Sequence, residues 1–247
     1  MAFDAKEEAE YIIEWIKGFF EATGGKTAVI GLSGGKDSTI VAALCAKAIG
    51  RENTVGVILP DGAMKDYDEA LQAGELYCGH IWGADINGLT KSFRDGFWGL
   101  PEPTEVAMTN LPARMRMVCL YYTAQCLEHG RVANTCNLSE NYVGWATRYG
   151  DTAGDFAPLH DYTVQEVKAI GRYLGVPDEL VEKVPEDGLC GKTDEEGLGF
   201  SYEVLDRYIR EDVCGDPAIK ERIDDLHKRN LFKLRQIPFP VCKTPFI

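Results

Sequence analysis

The chain has 247 residues, 45% of them hydrophobic, enough to bury the core of one large domain, so residues 1–247 are read as a single domain. Its 39 acidic residues against 26 basic ones give a net charge of −13, which opposes nonspecific attraction to a phosphate backbone and so excludes nucleic acid as an expected partner. No window nears the roughly 18 apolar residues of a membrane span, the opening MAFDAKEEAEYIIEW lacks an apolar signal region, and the cysteines (45, 78, 119, 126, 136, 190, 214, 242) form no CxxC pair, which together predict a cytoplasmic protein without a membrane partner.

Residues 5–21 place Ala9, Ile12, Ile13, Ile16, Phe19 and Phe20 at near-helical spacing, and Gly24-Gly25 stop that helix. Short apolar runs then alternate with helical patterns: TAVIGL, a helix from about Asp37 to Ile49, TVGVIL, a helix from about Lys65 to Tyr77, HIWGAD, a long helical stretch, and RVANT. Strands separated by helices of this length require right-handed crossovers. The expected fold class is therefore α/β, a doubly wound, Rossmann-like parallel sheet with helices on both faces. In the long stretch Leu111, Met115, Val118, Cys119, Tyr122 and Cys126 share a helical face after Pro112, which is read as a first-turn residue. Beyond Thr135 come glycine- and aspartate-rich loops around two more helices, TVQEVKAIGRYL and SYEVLDRYIRE.

The run TAVIGLSGGKDSTIV breaks an apolar strand with a glycine turn that opens a helix. It lacks the G-x-G-x-x-G spacing of a dinucleotide fingerprint, and it fails a Walker A loop because Ile30 stands at the first glycine and Asp37 at the hydroxyl position. Gly34 and Gly35 let the backbone approach an anion, the amides of the first helical turn point at it, and Ser33 and Ser38 can add hydroxyl donors. A carboxylate at Asp37 would repel a phosphate unless a divalent cation, Mg²⁺, joined the two. Asp37 and Ser38 also suit simple helix caps.

The segment resembles the SGGxDS pyrophosphate loop of the adenine-nucleotide alpha hydrolase-like ATP pyrophosphatases, which split ATP between its alpha and beta phosphates. Gly31, Leu32, Ser33, Gly34, Gly35, Lys36, Asp37 and Ser38 are by this resemblance ATP-binding. Later blocks resemble the ammonia-dependent NAD synthetases over most of the chain. NLPARMRM is similar to a family segment whose first arginine, here Arg114, contacts deamido-NAD. NTCNLSENYVGWATRYGD is similar to the G-T-x4-E...[KR]-Y-G-D block, which implies Thr135 at ATP, Glu140 as the second Mg²⁺ ligand after Asp37, and Arg148 at deamido-NAD. Glu140 equally suits a capping box after Asn137. Asp155 matches a further substrate-contacting acid, and a surface loop explains it as well.

LCGKTDEEGLGFSYEVLDRYI resembles the segment ending in [ST]-D-E-x2-L-G-x-[ST]-Y, where Lys192 could reach phosphate or be an exposed lysine. HKRN resembles the HKR near the family's C-terminus, which implies His227 and Lys228 at deamido-NAD, with a charged helix end as the alternative. Three positions depart from the family pattern: Asn134 replaces a glycine, Val164 a lysine, and Glu186 a hydroxyl residue after Pro185.

The resemblance implies ATP-dependent amidation of deamido-NAD by ammonia, through an adenylate, to NAD, AMP and pyrophosphate, in a homodimer that uses Mg²⁺. No general base is assigned. An amidase domain with a catalytic cysteine has no room in these residues, so free ammonia is the expected nitrogen source. A tRNA-modifying ligase of the same loop class would predict a basic face or a cysteine pair, and a nucleotide sensor would bind without turnover.

Overall fold

In the computed structural model, residues 3–183 and 193–235 are described. Four parallel strands, β1 (Thr27–Gly31), β2 (Thr54–Ile58), β3 (His80–Gly83) and β4 (Gly130–Val132), form a sheet in the order β3-β2-β1-β4. Val29 pairs with Val55 on one side and with Val132 on the other. The chain thus winds outward from β1 to β2 and β3, then returns to the opposite side of β1. That reversal between β1 and β4 opens a crevice at the carboxyl ends of the two strands.

The pleat divides the core. Ala28, Ile30 and Leu32 point into a cluster with Ile12, Ile16, Ile40, Leu44, Val167 and Ile170, contributed by α1 (Ala5–Thr23), α2 (Lys36–Ile49) and α7 (Val164–Leu174); α3 (Tyr67–Tyr77) packs on the same side through Ala70. Val29, Val55, Val57 and Val132 face the other way, onto Leu120 and Ala124 of α5 (Glu105–Cys126). Helices on both faces are as expected from the strand-helix alternation. A third cluster, with Val143, Val164, Leu198, Leu205 and Ile223, joins α6 (Leu138–Val143), α7, α9 (Asp194–Leu198), α10 (Tyr202–Glu211) and α11 (Pro217–Asn230) beyond the sheet; α4 (Asn87–Asp95) and α8 (Asp178–Val181) complete the described helices.

Two expectations are corrected. α5 begins at Glu105, capped by the Thr104 hydroxyl accepting from the Ala107 N–H at 3.2 Å, so Pro112 lies inside the helix and not in its first turn. Its buried residues are Pro112, Leu120 and Ala124; of the predicted face Met115 and Cys119 pack against the sheet cluster, whereas Val118 and Tyr122 are exposed. The reason is that polar and apolar residues are mixed around α5 without a helical period, which removes the contrast that would mark its inner face. RVANT forms a strand only to Val132, although the Ala133 N–H still donates to the Val29 carbonyl at 2.9 Å.

Candidate functional site

The glycine loop leaves the sheet late. The Leu32 N–H donates to the Val57 carbonyl at 2.9 Å and the Leu32 side chain is buried, so only its backbone can face a ligand. Gly34 then turns with φ +77°, and a Cβ there would lie 2.4 Å from the Asp66 carbonyl oxygen. Ser33 Oγ accepts the Gly35 N–H at 3.2 Å and lies 3.2 Å from Ser38 Oγ, while the Ser38 and Thr39 hydroxyls donate to the Gly35 carbonyl at 3.1 and 2.9 Å. These hydroxyls therefore fix the shape of the loop. Gly35 is the N-cap of α2 and has no side chain to accept from the first turn, which leaves amides and the positive helix end directed at an anion.

Asp37 is not a cap. Its Oδ2 accepts from Lys36 Nζ at 2.8 Å and its Oδ1 from Asn137 Nδ2 at 3.2 Å. Asn137, fully buried, is the N-cap of α6: its Oδ1 accepts the Glu140 N–H at 3.0 Å and its own N–H donates to Glu140 Oε2 at 3.2 Å. The capping-box reading of Glu140 holds, and the box keeps its carboxyl near enough to Asp37 for the two charges to act on each other. Burial, then the Asp37 charge, push that carboxyl well above its ordinary pKa, and the Lys36 ammonium pulls it back.

Lys36 is 2% exposed. Burial lowers its pKa, but the charges of Asp37, Glu140 and Asp194 outweigh burial and leave it raised. Asp194, buried at the start of α9, accepts from the Tyr202 hydroxyl at 3.1 Å, and burial with the Glu140 and Asp194 charges pushes that phenol far up.

Asp37 and Glu140 supply hard oxygen donors of the kind Mg²⁺ takes. A cation, the Lys36 ammonium, already sits against Asp37 and is acted on by the Glu140 charge, so the place suits positive charge. Among the described residues no group of three or more His, Cys, Asp or Glu side chains is arranged to hold a metal, so the remaining ligands would have to be phosphate oxygens or water.

The predicted dinucleotide residues divide. Arg114 Nε donates to the Arg148 carbonyl at 3.2 Å, and the Arg148 guanidinium lies over the rings of Tyr149 and Phe232, 5.0 and 5.6 Å from their centroids. Arg148 lines a cleft of about 500 Å³ with Tyr121, Thr152 and Lys233. Asp155 lines an adjoining cleft of about 450 Å³, and its carboxylate also accepts the Val132 N–H at 2.8 Å. Neither cleft is lined by the glycine loop. His227 instead docks α11 onto α6, its Nδ1 lying 2.7 Å from the Tyr142 carbonyl and its ring stacked on Tyr142 at 4.1 Å, while Lys228 is exposed. Thr135 is half-buried just after β4. Lys192, Pro185 and Glu186 lie outside the described residues.

Other residues carry more than their sequence signal. Asn134 is buried, and its Nδ2 donates to the carbonyls of Asp151 at 2.7 Å and Ala153 at 3.1 Å, so the residue in place of a glycine ties down the 151–154 loop. Val164, in place of a lysine, is buried, and its N–H donates to Ser139 Oγ at 3.0 Å. Asn137 was legible only as the first letter of an N-x-x-E cap. Arg116, whose Nε donates to the Leu59 carbonyl at 2.9 Å beyond the end of β2, had no signal beyond its charge.

A sequence model of the family described as NAD synthase matches residues 8–237. The NH(3)-dependent NAD(+) synthetase of Methanococcus aeolicus is 41% identical over 189 residues, 74% of each chain. Among solved structures, an NMN synthetase from Francisella tularensis is 30% identical and superimposes with a TM-score of 0.89 over 97% of this chain and 99% of its own. An NH3-dependent NAD synthetase from Campylobacter jejuni, 25% identical, superimposes with a TM-score of 0.79 over 97% of this chain and 100% of its own.

Proposed function

From the premise that the chain belongs to the NAD synthase family, we propose that it is a ligase that amidates deamido-NAD with ammonia at the expense of ATP, giving NAD, AMP and pyrophosphate. The observation that carries the reading is the convergence, at the β1–β4 switch point, of the amide-lined turn after Gly34 with Asp37 and Glu140. A carboxylate resists ammonia until one of its oxygens becomes a leaving group. The nicotinate carboxylate attacks the alpha phosphorus of ATP, pyrophosphate departs, and ammonia displaces AMP from the acyl adenylate.

In this chain the amides of Gly34 and of the first turn of α2, residues 36–38, bind the departing phosphates, and fixed dipoles of this kind stabilise the charge that builds there without reorganising. When bound, Mg²⁺ would offset phosphate charge, with Asp37 and Glu140 as its protein ligands. Arg114 and Arg148, joined by a hydrogen bond at 3.2 Å, are the proposed contacts to deamido-NAD, a reading supported by the affinity of guanidinium groups for phosphate. Thr135 on the ATP side, Asp155, His227 and Lys228 on the substrate side, and Lys192 at phosphate complete the proposed contacts.

The proposal includes a homodimer, supported by the apolar side chains exposed on α4 and α5, among them Phe93, Val118 and Tyr122. It also includes a cytoplasmic location, consistent with six described cysteines that are all free thiols; among the described residues no helix is long and apolar enough to cross a membrane. A second reading takes the acid form of NMN as the acceptor, because the Francisella neighbour named an NMN synthetase superimposes over nearly all of both chains.

One assay separates these readings: purified protein with ATP, Mg²⁺ and ammonium or glutamine, and either deamido-NAD or the mononucleotide acid, following amide product and pyrophosphate. We expect turnover with ammonium and deamido-NAD, and a loss of at least about 100-fold in Asp37→Ala. Faster turnover of the mononucleotide acid would select the second reading, and equal use of glutamine would defeat the nitrogen assignment.

A further inference from the structure

The SGGxDS pattern leaves its fourth position open, and here that position is Lys36, the first residue of α2. A positive charge at the start of a helix opposes the macrodipole, and burying an ammonium is costly unless anions compensate it. Both costs are met at Lys36, whose side chain is almost wholly buried. What holds it is a ring of groups from four elements. Asp37 Oδ2 of α2 accepts a hydrogen bond from Nζ at 2.8 Å, the charges of Glu140 on α6 and Asp194 on α9 act on it, and the ring centroid of Tyr202 on α10 lies 5.9 Å from Nζ.

A divalent ion ligated by Asp37 and Glu140 would stand about 2 Å from their oxygens. It would be a second positive charge against an ammonium already hydrogen-bonded to one of them. The two cations therefore compete for one place. The flexible four-carbon stem of lysine lets the ammonium leave without moving α2.

We propose that the Lys36 ammonium is the resident cation of the Asp37–Glu140 acid pair in the nucleotide-free protein, and that a divalent ion reaches the pair only by displacing it. This rests on the reading of that pair as the metal site. Lys36 is then a positioning residue: it keeps two half-buried acids together and unrepelled before nucleotide arrives, at the cost of weak metal binding until then.

The test is Mn²⁺ binding to the nucleotide-free protein, read from the electron paramagnetic resonance of free Mn²⁺, with folding checked by circular dichroism. We expect Lys36→Met and Lys36→Gln each to bind one Mn²⁺ at least tenfold more tightly than wild type, Lys36→Arg to bind no better than wild type, and Glu140→Gln in the Lys36→Met background to abolish the gain. Folded Met and Gln variants that bind Mn²⁺ no better than wild type overturn the proposal. Should neither fold, tight Mn²⁺ binding by the wild type that Glu140→Gln removes also overturns it, and the absence of such binding upholds it. Failure of the ligase reading shows separately, as no release of pyrophosphate by the wild type on addition of deamido-NAD.

Discussion

At Gly34 the backbone adopts φ +77° with the Asp66 carbonyl directly behind it, so two independent constraints demand glycine at one residue. Gly34→Ala is expected to destabilise the protein by about 2 kcal/mol or more and to lower activity, because the loop must move to make room for a methyl group. Urea denaturation and the ligase assay check this together; an unchanged midpoint would show that the turn does not need its left-handed conformation. At this scale the glycines, Asp37 and Ser38 were legible, since each belongs to a contiguous pattern with a chemical purpose. The Asp37–Asn137 hydrogen bond was not, because its partners are 100 positions apart and nothing in local spacing joins them. The burial of Lys36 was equally hidden: a lysine beside glycines reads as a solvent-facing donor until α6, α9 and α10 close over it.

Among the elements, α6 decides where Glu140 sits, and α10 decides where α6 sits. Ser139 Oγ donates to Asp206 Oδ1 at 2.5 Å, accepts the Val164 N–H at 3.0 Å, and Asp206 Oδ2 also accepts the Gln165 N–H at 2.8 Å, so one buried hydroxyl and one carboxylate pin α6, α7 and α10 together. Ser139→Ala leaves the Val164 N–H and an Asp206 oxygen unpaired and is expected to cost about 1–3 kcal/mol, with a fall in activity as Glu140 loses its seat. Thermal melting and steady-state kinetics measure the two effects.

Burial holds the Asp206 carboxyl above its ordinary 3.8, although its bonds from Ser139 and Gln165 pull it down. The folded chain therefore keeps a proton that the unfolded chain gives up. The stability this group contributes is full below the unfolded value and is lost as pH rises through the folded one. The melting temperature of the wild type minus that of Asp206→Asn should accordingly decline as pH rises above the ordinary carboxyl value of about 4; a difference that grows with pH there would reverse the sign. α7 and α10 were readable from their helical patterns, whereas α6 showed only as a capping box from Asn137 to Glu140, α11 only as a charged helix end, and α8 and α9 not at all, because they are short or mostly polar. The inner face of α5 was half readable: Met115 and Cys119 pack on the sheet cluster, but Val118 and Tyr122 do not.

Across the whole molecule, the side chains left uncovered point to what is missing from a single chain. Trp98 is 92% exposed and Tyr122 70%, on and beside the helices that cover one face of the sheet. For a protein of net charge −13 such apolar surface calls for a partner, and the proposed partner is a second copy. Light scattering is expected to give a dimer for the wild type and a monomer for Val118→Asp combined with Tyr122→Asp; a monomeric wild type would refute that face as an interface. Sequence alone determined the strand-helix alternation, the two-sided sheet and the glycine turn, because hydrophobic period, glycine placement and cap chemistry act over a few residues. Tertiary structure decided that β4 returns beside β1, that Asn137 and Glu140 meet Asp37 across that crevice, and that a lysine fills the space among three acids. Those contacts arise only when distant segments fold together and exclude water, and charge and burial then act through space with no trace in the order of residues.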